Sequence, residues 1–178
     1  MCLERLKNEL AAIKYTQSNT TIPTLNIRCA FEDRGRYYII TNIVPGVALA
    51  KPPDDKKAAV ITELEGYKAQ MHAIKSKVMG GFSGDVVLPY RLNVARPEQG
   101  LKVHEAEFVL CHNDLLQHNV LVDETTLKIN AILDWEYAGF FTPEFNGKFY
   151  LRPGLSAALK GEENDVPKLL EVLNYWRA

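Results

Sequence analysis

The strongest pattern in the chain lies at residues 108–140, FVLCHNDLLQHNVLVDETTLKINAILDWEYAGF. Phe108–Leu110 and Val120–Val122 are short apolar runs, and Leu127–Leu133 alternates between polar and apolar residues before an apolar end. Such patterns are typical of β-strands. The turn residues Asp123–Thr126 separate the second run from the third, so these two strands are predicted to form a hairpin.

Acidic and amide side chains follow these predicted strands. Asp114 and Asn119 lie in the loop after the first strand, whereas Asp134 and Glu136 lie in the loop after the third. A hairpin of this length returns Asp134 close to Asn119, so oxygen-bearing side chains should gather at one end of the sheet. Carboxylate and amide oxygens, together with substrate phosphates, are the ligands that Mg²⁺ takes in such sites. The stretch therefore predicts an oxygen-rich cation site.

Two motifs in this stretch, H-N-D-L-x-x-x-N and I-L-D-W-E, resemble the catalytic and metal loops of the aminoglycoside phosphotransferase-like family, small-molecule relatives of protein kinases. They occur in the right order and a hairpin joins them. The resemblance implies an α+β, protein kinase-like fold. It would consist mostly of the helical C-lobe, residues 45–178, with a partial N-lobe of one helix and a β-hairpin, residues 1–44.

The resemblance also implies roles for the matching residues. Asp114 would accept the proton of an attacking hydroxyl, and His112 would brace the catalytic loop. Asn119 and Asp134 would hold Mg²⁺ on the phosphates of ATP. Glu136 would either contact a second metal or a water, or brace its own loop.

The N-terminal segment is predicted to be an amphipathic helix ending near Gln17, from the spacing of Leu3, Leu6, Leu10 and Ile13. Glu9 lies about 80° from the centre of this apolar face. In the family, such a helix precedes a segment similar to Thr20–Thr24 and carries a glutamate that pairs with the phosphate-anchoring lysine. The resemblance nominates Glu9 for this role; the alternative is a solvated surface glutamate.

Leu25–Phe31 and Tyr37–Val44 are predicted as the two strands of a hairpin around a glycine-containing turn. The second strand runs into Pro45-Gly46, which must end it. The resemblance identifies this place as the hinge between the lobes. Backbone groups from Asn42 to Val44 would there offer hydrogen bonds to adenine.

A helix of about five turns is predicted from an apolar stripe that we expect in the core: Val60, Leu64, Tyr67, Met71, Ile74 and Val78. Gly80–Gly84 is interpreted as its C-terminal cap and turn. It is not interpreted as a phosphate loop, because no strand precedes it and no Lys-Ser or Lys-Thr follows. Asp165-Val166-Pro167 predicts the start of a last helix.

Composition narrows the class of protein. The 178 residues are 47% hydrophobic and 24% charged, which is ordinary for a globular protein. A net charge of −1 makes nucleic acid an unexpected partner. No apolar run approaches the roughly 20 residues of a membrane helix, and MCLERLKNEL has no signal-peptide core. Three widely spaced cysteines indicate reduced thiols, so we expect a cytoplasmic protein without membrane attachment.

Four potential zinc ligands lie near one another in sequence: His104, Cys111, His112 and His118. Adjacent Cys111 and His112 are poorly spaced for one tetrahedral site, and the sequence has no C-x-x-C pair. Zinc is therefore disfavoured.

The sequence departs from the family at its start. The family's nucleotide lobe begins with three strands that carry a glycine-rich phosphate cover and the anchoring lysine, whereas this sequence begins at the helix of Glu9. A truncated member is expected to bind and align ATP poorly. A two-stranded hairpin with an open edge also invites pairing with another chain. We therefore expect a homo-oligomer formed through the hairpin and the first helix.

Two functions follow. The first is ATP- and Mg²⁺-dependent phosphoryl transfer to the hydroxyl of a small molecule, impaired by the absence of the glycine-rich loop and lysine. The alternative is a catalytically inactive, truncated kinase-like binding or interaction module. Leu116 stands where protein kinases usually carry lysine, and no A-P-E motif follows Asp134, so a small-molecule acceptor is favoured over a protein. No residue pattern specifies which small molecule this is.

Overall fold

The computed structural model describes residues 2–83, 87–92 and 107–175, and within these it has three α-helices, nine strands and five short 3₁₀ helices. The helices are α1 (Cys2–Asn19), α2 (Asp54–Ala73) and α3 (Val166–Tyr175). The first five strands are β1 (Ile27–Asp33), β2 (Arg36–Thr41), β3 (Val47–Ala48), β4 (Lys75–Ser76) and β5 (Gly80–Gly81). The other four are β6 (Phe108–Cys111), β7 (Val120–Val122), β8 (Ile129–Ile132) and β9 (Gly139–Phe141).

The strands form three antiparallel sheets. Within the described residues, β1 and β2 form a two-stranded sheet around a turn in which Arg34 and Gly35 have φ of 47° and 72°. The second sheet has the order β3-β7-β8, and the third has the order β4-β6-β9-β5. Both predicted hairpins are confirmed, since β1 pairs with β2 and β7 pairs with β8, but β2 ends at Thr41 and does not continue to Val44 as predicted. The proposed division into lobes between residues 44 and 45 stays a prediction.

Two apolar clusters support these sheets. The larger one joins α1 and α2 to the β3-β7-β8 sheet through residues such as Ile13, Leu64, Val120 and Ile132. The smaller one lies where α3 packs near β6 and β9, and it includes Phe108, Phe141 and Leu173. β6 lies at the start of the segment 108–140 and β9 at its end, so both ends of this segment pack against the smaller cluster.

The predicted length of the second helix was wrong. α2 ends at Ala73, and Ile74 is already extended. The next two residues pair with Phe108 and Val109 as β4, so backbone bonds to the sheet replace the last helical turn. Val60, Leu64 and Met71 are buried as predicted, but Val78 is 70% exposed and not part of the core.

The interpretation of Gly80–Gly84 as a helix cap was also wrong, because the helix has ended earlier. Gly80 and Gly81 form β5 and pair with Phe140 and Gly139. The strands approach so closely that a Cβ on Gly139 would overlap the carbonyl oxygen of Gly80. Gly84, the last residue of the predicted cap, lies outside the described residues.

The first helix forms where it was predicted, but it buries another face. Leu3, Leu6 and Leu10, from the expected apolar stripe, are only half-buried. Ile13, the fourth residue of the stripe, is buried as predicted, and Asn8, Ala12 and Thr16 are fully buried beside it. α1 packs this more polar face against the short 3₁₀ helix Trp135–Tyr137 in the predicted metal loop.

The described helices include none with the length and apolar character needed to cross a membrane.

Replacing Gly139 by alanine should destabilise the protein, because the new methyl group meets backbone atoms of Gly80 that side-chain motion cannot relieve. We expect a loss of roughly 1–3 kcal/mol in the free energy of unfolding, measured by urea denaturation. Gly66→Ala is the control: Gly66 lies in α2 with open space around its Cβ position, and alanine there should stabilise by about 0.5–1 kcal/mol. Equal effects of the two substitutions would contradict the close approach of β5 and β9.

Candidate active site

The catalytic and metal loops meet at the end of the β7–β8 hairpin. The backbone N–H of Leu133 donates a hydrogen bond to the carbonyl oxygen of Asn119, at 2.8 Å. The predicted return of Asp134 to the neighbourhood of Asn119 is thereby confirmed. The two sequence motifs thus occupy one place in the structure.

Asp114 is held by Asn119. The Asn119 side-chain amide donates to the Asp114 carbonyl oxygen at 2.9 Å and to its Oδ2 at 3.1 Å. Asp114 is 9% exposed, so its carboxylate lies at the edge of the interior rather than in bulk solvent. This arrangement fixes the direction of the carboxylate before any ligand arrives.

His112 connects the two loops through its ring. Nε2 lies 2.9 Å from the carbonyl oxygen of Leu133, and Nδ1 accepts a hydrogen bond from the Asp114 backbone N–H at 3.3 Å. Since Nδ1 is an acceptor, the proton is on Nε2 and the ring is neutral. Complete burial lowers the pKa of His112 to about 4, which agrees with this neutral form. The ring also packs against Trp135, with centroids 4.6 Å apart.

Asn113, between His112 and Asp114, adopts a left-handed conformation with φ of 70°. Asparagine tolerates this region better than most residues. Its side-chain amide donates to the carbonyl oxygen of Tyr137 at 2.7 Å, and its own carbonyl accepts from Arg91 Nη1 at 3.0 Å. The backbone next to Asp114 is therefore tied to the metal loop and to Arg91.

Arg91 is a buried cation beside the catalytic loop, with a side chain that is 1% exposed. Its guanidinium also donates to the Phe145 carbonyl oxygen at 2.8 Å and to Asp165 Oδ2 at 3.1 Å. Asp165 thus pairs with Arg91 at the start of α3. One side chain joins the catalytic loop to the segments that follow the metal loop.

A second buried cation supports the catalytic loop from α2. Lys57 Nζ donates to Asp54 Oδ1 at 2.8 Å and to Gln117 Oε1 at 3.2 Å. The Gln117 amide in turn donates to the Tyr150 carbonyl oxygen at 3.0 Å. Because Gln117 lies between Asp114 and Asn119 in sequence, these contacts connect the catalytic loop to α2 and to Tyr150.

Asp134 lies near two other carboxylates, and one nearby cation opposes their effect on it. Burial and the carboxylates of Glu136 and Asp114 together raise the pKa of Asp134 to about 6, while Arg5 opposes the change. Its backbone is left-handed, with φ of 62°, a conformation that is uncommon for a residue with a side chain. A divalent cation would relieve this concentration of charge.

Glu9 faces the metal loop and is half-buried, so it is not the solvated surface glutamate of the alternative interpretation. Its carboxylate accepts a hydrogen bond from the Trp135 backbone N–H. Burial, followed by the charges of Asp134 and Glu136, raises the pKa of Glu9 to about 7. In the described part of the chain, the charges that act on Glu9 are thus those of other carboxylates.

Glu136 accepts a hydrogen bond from Arg5 of α1, with Nη1 and Oε1 3.0 Å apart. The same Nη1 donates to the Tyr137 hydroxyl at 2.7 Å. The Glu136 carboxylate thus forms an ion pair within the protein, and this pair joins α1 to the metal loop.

The predicted hinge follows β2. The backbone N–H of Asn42 donates to the Asn26 carbonyl oxygen at 3.0 Å, and its Oδ1 accepts from the Asn26 N–H at 2.7 Å. Of its backbone groups, Asn42 would therefore offer adenine its carbonyl rather than its N–H. Val44 lies half-buried two residues further on, in the stretch before β3. The hydrogen bonds described for Asn42 involve Asn26 and Ile43 and none of the carboxylates of the site.

The residues present fit a hard cation better than zinc. Among the described residues, no group of three or more His, Cys, Asp or Glu side chains is arranged to hold a metal. Mg²⁺ needs fewer protein ligands, because waters and phosphates complete its shell. Asp134 and Asn119 supply the oxygen donors, and the carboxylates of Glu136 and Asp114, which help to raise the pKa of Asp134, concentrate negative charge that a cation would offset. Of the zinc candidates, Cys111 is a buried thiol with a pKa raised to about 12 by burial, and His104 lies outside the described residues.

Comparison with known proteins agrees with this geometry. Residues 88–145 match the sequence model of the family described as Phosphotransferase enzyme family, APH. The aminoglycoside 3'-phosphotransferase of Streptomyces ribosidificus is 26% identical over 54% of this chain and 46% of its own length. The solved structure of aminoglycoside phosphotransferase APH(4)-Ia superimposes with a TM-score of 0.57 at 17% identity, covering 81% of this chain and 59% of that one. The fold is that of an aminoglycoside phosphotransferase.

This result confirms the resemblance to the aminoglycoside phosphotransferase-like family and the protein kinase-like, α+β fold. An aminoglycoside 3'-phosphotransferase of type VIII is also similar, with a TM-score of 0.53 and 16% identity over 76% of this chain and 59% of that one. The chain thus spans about half the length of the curated relative and three-fifths of each solved structure. The family match does not favour the inactive binding module over the phosphotransferase.

The residues that sequence reasoning missed are polar supports of the two loops: Arg5, Asn8, Lys57, Arg91, Asn113 and Gln117. Arg91, Asn113 and Gln117 lie close in sequence to the motifs, yet nothing in their spacing distinguishes them from surface residues. Arg5 and Asn8 lie on the polar side of α1, which amphipathic patterning assigns to solvent. Only the tertiary structure shows that this side is buried.

The raised pKa of Glu9 predicts a pH-dependent effect of Glu9→Gln. Since the folded state holds this proton more tightly, ionisation removes stability as the pH rises from the ordinary value of about 4.3 to about 7. Above pH 7 the loss is complete, so Glu9→Gln should be more stable than the parent at pH 8, by on the order of 1–3 kcal/mol after allowance for solvent screening. The gain should shrink as the pH falls to 5, as measured by urea denaturation.

Glu65→Gln is a control of opposite sign. Hydrogen bonds from Tyr150 and Lys148 lower the pKa of Glu65, so its contribution is present above the ordinary pKa and lost as the pH falls. Its replacement should destabilise at pH 8. A Glu9→Gln variant that is less stable than the parent at pH 8 would contradict the carboxylate crowding described above.

Proposed function

We propose that the protein catalyses ATP- and Mg²⁺-dependent phosphoryl transfer to a hydroxyl group of a small molecule. The observation that supports this most directly is the oriented Asp114 carboxylate, held by Asn119 at 3.1 Å. The backbone bond between Asn119 and Leu133 brings this carboxylate next to the loop of Asp134. A proton acceptor and an oxygen-rich cation site side by side are what phosphoryl transfer requires of a protein.

In the proposed reaction, Asp114 accepts the proton of the acceptor hydroxyl as its oxygen bonds to the γ-phosphorus of ATP. The bond from the γ-phosphorus to the bridging oxygen breaks, and ADP leaves with that electron pair. Positioning matters more than base strength, because the transition state is loose. The fixed direction of the Asp114 carboxylate is therefore the feature that supports this role.

Asn119 and Asp134 would hold the metal ion, and Mg²⁺ would neutralise charge on the transferred phosphoryl group. His112 would keep the two loops in register, since its ring contacts the Leu133 carbonyl and the Asp114 N–H. Glu9 would help to position this end of the site through the Trp135 N–H. Asn42 and Val44 would contribute backbone groups to adenine.

Nucleotide use is supported by the relatives. One solved structure of a thermostable APH(4)-Ia variant is a ternary complex with AMP-PNP and hygromycin B, and it covers 81% of this chain with a TM-score of 0.55. For the present protein we propose ATP as phosphoryl donor and leave the acceptor at the level of a small-molecule hydroxyl. A cytoplasmic location is part of the same proposal, supported by the free thiols of Cys29 and Cys111.

Self-association is a further part of the proposal. Phe31 and Tyr38 stack across the β1–β2 pair at 5.1 Å, and both are exposed together with Ile40 on the same face. An apolar face beside open strand edges favours pairing with an identical hairpin. Light scattering at micromolar concentration should show a dimer or larger species that Ile40→Lys dissociates. Monomer alone would refute this part of the proposal.

Two substitutions in the site should separate chemistry from binding. Asp114→Asn should reduce turnover by at least about a hundredfold while leaving Mg·ATP affinity within a few-fold, because only the proton acceptor is lost. Asp134→Ala should abolish Mg·ATP binding, measured by calorimetry. Glu124→Gln is the matched control, because Glu124 is an exposed carboxylate in the turn of the same hairpin and its replacement should change neither quantity. Unchanged turnover in Asp114→Asn, or full Mg·ATP affinity in Asp134→Ala, would contradict the assigned roles.

A further inference from the structure

The buried side chain of Asn8 makes four hydrogen bonds around the metal loop. It lies in α1 and is 0% exposed. Its Nδ2 donates to the carbonyl oxygens of Glu136 at 3.0 Å and Ala138 at 2.8 Å. Its Oδ1 accepts from the backbone N–H groups of Phe82 at 2.6 Å and Ser83 at 3.3 Å. Both donors and both acceptor positions of the amide are therefore occupied.

These bonds join segments that are distant in sequence. Glu136 and Ala138 follow Asp134 in the metal loop, whereas Phe82 and Ser83 follow β5. β5 itself pairs with β9, which begins at Gly139 directly after the metal loop. The Phe82 ring packs on Tyr15 of α1 and on Phe140 of β9, with centroids 4.7 and 5.5 Å apart. Asn8 thus lies at a junction of α1, the metal loop and the segment Gly80–Ser83.

We propose that Asn8 is a positioning residue that fixes the metal loop in the conformation presenting Asp134 and couples this loop to the segment Gly80–Ser83. The effect of Asn8 on Mg²⁺ binding rests on the proposed function. The coupling of the metal loop to the segment Gly80–Ser83 does not depend on that function. Asp134 has a left-handed backbone, a conformation that persists only where the surroundings hold it. The carbonyls that Asn8 captures lie two and four residues after Asp134, so the bonds restrain the loop on the side away from β8.

The choice of residue supports positioning over simple packing. Burying an amide has a desolvation cost that its hydrogen bonds only just offset. An apolar side chain could fill the same helix face without this cost. α1 nevertheless buries Asn8 while Leu3, Leu6 and Leu10 stay half-exposed. Arg5 and Glu9, on the same side of the helix, contact Glu136 and Trp135 of this loop. The part of α1 that carries Arg5, Asn8 and Glu9 therefore matches the polar backbone of the metal loop, whereas Ile13 contacts the apolar core.

Two substitutions at Asn8 test the proposal, beside a control in the same helix. Asn8→Leu keeps the approximate volume and removes all the bonds. Asn8→Asp, studied at pH 8, keeps the acceptor for Phe82 and Ser83 but removes the donors to the loop. Ile13→Ala is the control, because Ile13 is buried in α1 and contacts the apolar core, so its loss destabilises without touching these bonds. The variants are compared at urea concentrations at which their free energies of unfolding are equal.

The first readout is amide hydrogen exchange in the protein without ligands. Asn8→Leu should speed exchange at Trp135 and Ala138 and also at Phe82 and Ser83, by more than tenfold relative to Ile13→Ala. Asn8→Asp should speed exchange at Trp135 and Ala138 while protecting Phe82 and Ser83. If Trp135 and Ala138 exchange in Asn8→Leu as they do in Ile13→Ala, the coupling is refuted.

The second readout is the Mg²⁺ concentration that half-saturates ATP binding, measured by calorimetry. Replacing a residue that supports a metal ligand typically changes metal affinity by about 10–100-fold. The half-saturating Mg²⁺ concentration should therefore rise about tenfold in Asn8→Leu, and ATP binding should return to the parent level at saturating Mg²⁺. It should be unchanged in Ile13→Ala. An equal change in both variants would refute the positioning role. If the parent binds no Mg·ATP, the proposed function fails, and the exchange experiment alone decides whether Asn8 couples the two segments.

Discussion

Carboxylates crowd together where the two loops meet, and the rest of the structure holds them there. Burial and mutual repulsion raise the pKa values of Glu9 to about 7 and of Asp134 to about 6, so keeping these groups together costs free energy. Such an arrangement persists only where other contacts offset this cost. Here they are the backbone pairing of Leu133 with Asn119, the neutral ring of His112 and the polar face of α1.

These supports come from every side of the site. α1 contacts the metal loop through Arg5, Asn8 and Glu9, and α2 reaches the catalytic loop through Lys57. Arg91 fixes the Asn113 carbonyl and ties it to the start of α3. Since catalysis of phosphoryl transfer depends mainly on alignment, a loop pair braced from three helices is suited to that chemistry. The proposal thus rests on the contacts that hold the two loops as much as on the identity of Asp114.

Local patterns predicted much of this arrangement. The strands of residues 108–140 and their hairpin could be read from apolar runs and turn residues, because neighbours in sequence make those contacts. Patterning failed where distant segments compete. α2 was expected to reach Val78, yet pairing of β4 with β6 ends it at Ala73, and β5 replaces the expected cap. α1 was expected to bury its leucines, yet it buries Asn8 because the partner surface is a polar loop more than 120 residues away. No single-helix pattern contains that information.

The central claim is that α1, the catalytic loop and the metal loop form one preassembled unit. Native-state hydrogen exchange of the unmodified protein tests it most directly, because each backbone amide reports the free energy of the opening that exposes it. The amides of Asp114, Leu133 and Trp135 should exchange with one common opening free energy, close to that of global unfolding. Opening of Trp135 at several kcal/mol below the other two would show a metal loop that moves independently, and would contradict the claim.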